Sequence, residues 1–224
     1  MASFKLNVGR VSSCPPPAEM AAKMQAFGLP KSEEFGVLNV SSTEESVFGT
    51  IARKTQQAVQ RLDPETGQVT SEAVEKVALY PFGVKPSAEI LEVYAGPAGA
   101  IEQVGLFFSG CLALPTVVEN IELDVASAVA KLSSSTQRFQ LRSVRVKEYA
   151  ANSYMAGPYA PKFLDTQHGV DFMEEYAEYV TTAGVRFQGP TGRVTVNLTP
   201  KASFGYSCAE DDQPTVQIIL RKLL

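Results

Sequence analysis

Arg138-Phe-Gln-Leu-Arg-Ser-Val-Arg-Val-Lys147 is the stretch that decides the reading of this chain. Phe139 and Leu141 alternate with Arg138, Gln140 and Arg142, the period of a half-buried strand. After Ser143 the phase slips, and Val144 and Val146 become the apolar set against Arg145 and Lys147. A one-residue slip would turn the second half inside out, so the pattern predicts a bulge at 142–144. The outer side then displays four cations, Arg138, Arg142, Arg145 and Lys147. Such a ladder can seat a polyanion. The same residues equally fit a solvated edge strand defended by charge.

Working outward, the neighbouring segments read as a mixture of strands and short helices. Strand patterns occupy 3–11, 35–40, 47–54, 73–82, 89–95, 117–123, 183–188, 193–198, 202–207 and 215–222. Helical spacing marks 18–27, 97–112, 125–132 and 171–180, with Asp124 a candidate N-cap and Gly28 a candidate C-terminal stop. Hairpin-length turns dominate, among them Asp63-Pro-Glu-Thr-Gly67 and Gln188-Gly-Pro-Thr-Gly-Arg193. The expectation is one α+β domain over 1–224, with a mixed, mostly antiparallel sheet and three to four short helices. Sub-lobes, if present, fall at 1–115 and 116–224. The run 150–169 carries Tyr154, Gly157, Pro158, Tyr159, Pro161, Phe163 and His168 without periodicity, and reads as a long functional or flexible loop.

Composition narrows the function classes. The chain has 224 residues, 45% apolar and 20% charged, with a net charge of −4. That balance is unlike a dedicated non-specific nucleic-acid binder, which is basic overall, and leaves room for a local basic patch. Cys14, Cys111 and Cys208 are far apart and odd in number, so free thiols are expected, with no zinc knuckle. The N-terminus reads as a strand without a signal-peptide pattern, and Val104–Leu114 is too short an apolar stretch to span a bilayer. A cytoplasmic setting without membrane contact is therefore expected.

Several residues could carry chemistry. His168 is the single histidine and could pair with Cys208 as base and nucleophile, although nothing in the sequence brings them together. Glu210-Asp-Asp212 offers oxygen ligands but lacks the alternating positions and glycine turn of a calcium loop. Gly96-Pro-Ala-Gly99 before a helix has neither a dinucleotide fingerprint nor a phosphate-loop lysine, and a helix start with Pro at its first turn explains it. Neither a metal nor a cofactor is assigned.

Cations and tyrosines make a stronger set. Arg53 and Lys54 could join Arg138, Arg142, Arg145 and Lys147 in one electropositive surface, with Tyr154 and Tyr159 beside it to stack on bases; the same residues fit scattered solvated charges with the tyrosines packing the loop onto the sheet. The helix 97–112 is apolar around much of its circumference, which points to Phe107 and Phe108 as a protein–protein or homo-oligomer interface.

One arrangement resembles a known group. Val47-Phe-Gly-Thr-Ile-Ala-Arg-Lys54, the Asp63–Gly67 turn, and Ile90-Leu-Glu-Val-Tyr-Ala-Gly96 before a helix are similar to the β-rich front domain of some bacterial phage-exclusion and antiviral-defence proteins. The resemblance implies sensing or binding of nucleic acid and covers residues 47–96, with no functional residue carried over. The leading expectation is a non-catalytic binding or scaffold subunit of a bacterial assembly, associated with defence and binding nucleic acid or partner chains. The alternative is a small enzyme using acidic residues or His168.

Overall fold

The protein is described by a computed structural model, which covers residues 1–28, 35–96, 99–112, 116–152 and 155–224. The chain forms two compact units, Gly9–Glu119 and a second made of Met1–Val8 with Asn120–Leu224. The chain crosses between them after Val8 and again after Glu119. The earlier crossing separates residues 1–8 from their sequence neighbours, because residues 2–7 pair with Ser203–Cys208 near the far end of the chain.

The first unit is an antiparallel sheet with two helices. Its elements are the end of β1 (Ala2–Ser12), α1 (Pro17–Phe27), β2 (Phe35–Ser42), β3 (Val47–Leu62), β4 (Val69–Lys85), β5 (Ile90–Val93), α2 (Ala100–Cys111) and β6 (Val117–Asn120). The strand order is β2-β3-β4-β5-β1, with β6 also pairing β1. Pro17 opens α1, where a missing N–H costs nothing. Met20 and Met24, one turn apart, point into a core with Ile51, Phe82, Leu91 and Val104. Close approach of α2 to β6 requires Gly105: a Cβ there would lie 2.9 Å from the Val118 Cβ.

The second unit holds α3 (Val125–Ser135), β7 (Gln137–Asn152), β8 (Met155–Tyr159), α4 (Thr166–Glu175), β9 (Val180–Gln188), β10 (Arg193–Leu198), β11 (Ser203–Cys208) and α5 (Gln213–Arg221). Here the sheet order is β1-β11-β10-β9-β7-β8, and each neighbouring pair along it is antiparallel. Asp124 caps α3 by accepting from the Ala126 and Ser127 amides, as expected from its type and position. The apolar phases of β7, β9, β10 and β11 bury Val144, Val146, Val185, Val196 and Phe204.

The expected α+β class holds, and the sheet, expected to be mixed and mostly antiparallel, is antiparallel in the pairs given above. Five α-helices are present among the described residues, against the three to four expected. The additional one is α5, over residues read as a strand at 215–222. Val216 and Leu220 are its buried residues, and an apolar, β-branched run fits either period. Pro214 in its first turn was the available helix signal. The run 150–169 is not structureless, since β8 pairs β7 and α4 begins at Thr166. Among the described residues, no helix is long and apolar enough to cross a membrane.

Candidate nucleic-acid interface

The bulge read from 138–147 is present. Leu141 pairs Val185 and Ser143 pairs Gly184, leaving Arg142 as the extra residue. Leu141, Val144 and Val146 are buried, while Arg138, Arg145 and Lys147 are exposed and Arg142 is half-buried. Arg138 itself takes a left-handed φ of 52° at a second irregularity of the ladder. Arg145 and Lys147 follow the alternation with buried Val144 and Val146, whereas Arg142 is the bulge residue and Arg138 stands at an irregular pair.

Cross-strand register shows what lies beside them. One row runs Ser143, Gly184, Asn197, Gly205, Lys5 across β7, β9, β10, β11 and β1. The adjacent row runs Gln140, Arg186, Thr195, Ser207, Ser3. Directly paired residues project to the same face, so both rows belong to one surface. Arg145 with Thr182 and Arg193 with Gln188 extend it. Apart from buried Gly184, the members of this surface are exposed or half-buried. Close rows need small side chains: a Cβ on Gly184 would sit 2.5 Å from the Ser143 Oγ.

The electrostatics of this face are one-sided. Lys5, Arg145, Arg186 and Arg193 lie on it, and alternation from buried Val146 adds Lys147. Residues 2–8 and all of β9, β10 and β11 contain no Asp or Glu. The Nε of Arg186 is shielded and has no hydrogen-bond partner among the described residues. Across five strands the face measures about 19 Å, several phosphate spacings of a nucleic-acid strand. Sequence reading missed Lys5, Arg186 and Arg193, although the polar phases of β1, β9 and β10 carried them in plain alternation.

The other residues of the expected surface are Arg53, Lys54, Tyr159 and Tyr154. Arg53 and Lys54 stand on β3 in the first unit, and both are engaged. The Arg53 guanidinium donates to the Gln103 Oε1 and lies 5.2 Å from the Phe35 ring centroid. Lys54 pairs with Glu75 at 2.8 Å. Tyr159 is 45% exposed but stacks on Tyr149 with centroids 4.5 Å apart, in a cluster with Phe172 and Tyr176 of the α4 region. Tyr154 falls outside the described residues. Lys147 approaches the Tyr179 ring at 5.9 Å.

Phe107 and Phe108 do not form an exposed interface: both are buried inside the first unit, Phe108 edge-on to Phe82. The large apolar residue that α2 exposes is Leu106. A helix apolar on several sides is here satisfied by the sheet, α1 and Val118 of its own unit, which removes the oligomer argument drawn from its sequence.

The groups considered for catalysis are separated by environment. His168 is exposed at the start of α4, with Nδ1 2.7 Å from Asp165, whose carboxylate also accepts from the His168 amide. These hydrogen bonds hold the Asp165 carboxyl below its usual range. Cys208 is fully buried, and burial followed by the nearby Asp212 carboxylate pushes its thiol up. Burial likewise pushes Cys14 and Cys111 up to about 11, and all three are free thiols. Asp212 is buried and accepts the Thr191 amide at 3.0 Å, so it organises the β9–β10 turn. Among the described residues, no group of three or more His, Cys, Asp or Glu is placed to hold a metal ion.

No protein-family model and no curated protein sequence matches the chain.

Proposed function

We propose that the protein is a non-catalytic binding subunit that seats a nucleic-acid backbone on the carboxylate-free sheet face of its second unit. The observation that carries this reading is the cross-strand register that puts Lys5 of β1, Arg145 of β7, Arg186 of β9 and Arg193 of β10 on one face of a five-strand sheet, four of whose strands contribute no Asp or Glu. An overall charge of −4 makes such a segregated face more meaningful, since cations scattered for solubility would be interspersed with acids. A positively charged surface that tracks the backbone is one component of single-strand platforms. The cations and hydroxyls named on this face suit phosphate and sugar contacts, so binding is expected to be largely sequence-independent. Membership of a bacterial defence assembly is carried by the likeness of residues 47–96 alone. A cytoplasmic location belongs to the same reading and accords with three free thiols.

The mapping experiment is an amide-shift titration with a short single-stranded oligonucleotide at low salt. Perturbations should follow Ser3, Lys5, Arg145, Thr182, Arg186, Thr195, Asn197 and Ser207. Shifts confined to the first unit, or none at all, would remove the assignment.

A further inference from the structure

The distal part of the β3–β4 ribbon has no third strand on either edge among the described residues. β2 last pairs β3 at Arg53, and β5 joins β4 only from Phe82. Residues 69–77 of β4 are exposed without alternation, as are most of 55–62 on β3. This arm projects about 25 Å from its last flanking strand. Two strands alone are marginal in water, and an open apolar edge is a standing template for another strand.

The edge is specific in composition. At the tip, the Asp63 amide donates to the Gln68 carbonyl; at the base, the Pro81 carbonyl accepts from Tyr94, away from β3. Both bonds fix the same alternation: Val69, Ser71, Ala73, Glu75, Val77 and Leu79 turn their backbone groups to the open side of β4. The exposed apolar residues concentrate on this strand, with Val69 61%, Val77 49% and Leu79 47% accessible, and Leu62 beside Val69 66%.

We infer that β4 pairs antiparallel with β4 of a second copy of this chain, about a two-fold axis through Val74. In that register the outward-turned residues of the two strands bond to one another. Val69 meets Leu79 of the second copy, so the apolar tip of each arm covers the apolar base of the other. Glu72 meets Lys76 twice, once on each side of the axis, in the closer, non-hydrogen-bonded positions. The edge of β3 offers no such match, because 54–62 contains cations and no carboxylate. A two-fold strand pairing is closed and stops at two copies. The inference stands independently of the nucleic-acid reading, since the arm belongs to the first unit.

Charge reversal tests the register. Glu72→Lys alone opposes two cations across each cross-strand pair, and Lys76→Glu alone opposes two carboxylates. Each should weaken dimerisation about tenfold or more, because two cross-strand pairs change sign. An equimolar mixture of the two variants should recover dimers of mixed composition, measured by sedimentation velocity and native mass spectrometry. Ala73→Pro provides a second variant, as it removes an outward N–H while leaving every bond to β3 intact. It should be monomeric with an unchanged circular dichroism spectrum. A monomeric wild type at the highest soluble concentration, or a dimer in Ala73→Pro, overturns the inference. Failure of the mixture to re-form dimers overturns the register.

Discussion

Replacing Arg145 and Arg193 by alanine gives the sharpest test of the basic face. Both side chains are exposed and flank the central rows, so folding stability should change by no more than about 0.5 kcal/mol for each. If Lys5, Arg145, Lys147, Arg186 and Arg193 each neutralise one phosphate of a single strand, the slope of log K against log salt is about −3.5. A fourfold rise in salt, from about 50 to about 200 mM, then weakens the wild type about 130-fold. Without two of the five cations the slope falls to about −2.1 and the loss to about 18-fold. The assay is fluorescence anisotropy with a labelled oligonucleotide across that salt range, for wild type, the double variant and Arg61→Ala. Arg61 lies on the arm and pairs with Glu72 at 3.3 Å, so its removal should leave the slope unchanged. No binding by wild type at low salt, an unchanged slope in the double variant, or an equal effect of Arg61→Ala would each refute the reasoning.

Two further outcomes follow from burial. Phe108→Ala should cost about 3–5 kcal/mol in guanidinium unfolding, because the ring is fully enclosed against Phe82 and Phe107, whereas Leu106→Ala on the same helix should be near neutral. At pH 8, Cys14 and Cys111 should alkylate about 100-fold more slowly than a thiol at the ordinary value, since the thiolate reacts and both are pushed up to about 11. Their reactivity should rise with pH toward that value, measured by mass spectrometry of the intact protein. The stability these thiols contribute is fully present below their ordinary value of 9.0 and is lost as pH rises toward about 11.

How much was legible in the sequence depends on the range of the interaction concerned. The β7 bulge was readable because side-chain period is a local property: Val144 and Val146 could be buried together with Leu141 only if one residue was accommodated between them. Asp124 was readable as a cap because its carboxylate reaches amides two and three residues away. α5 was misread because Val216 to Leu220 satisfies both periods, and burial of one turn, decided by packing, selects the helix.

What the amino-acid order determined by itself was the set of alternating faces: which residues of each strand are polar, basic or apolar. Only the tertiary structure decided which strands lie side by side. It joined Lys5 to Gly205, Asn197, Gly184 and Ser143 in one row, and it assigned Arg145 to one unit and its expected companions Arg53 and Lys54 to the other. It also took Phe107 and Phe108 from an expected surface into a core. Strand order depends on hydrogen bonds and apolar contacts between residues far apart in the chain, and a pattern of period two carries no information about which neighbour completes them.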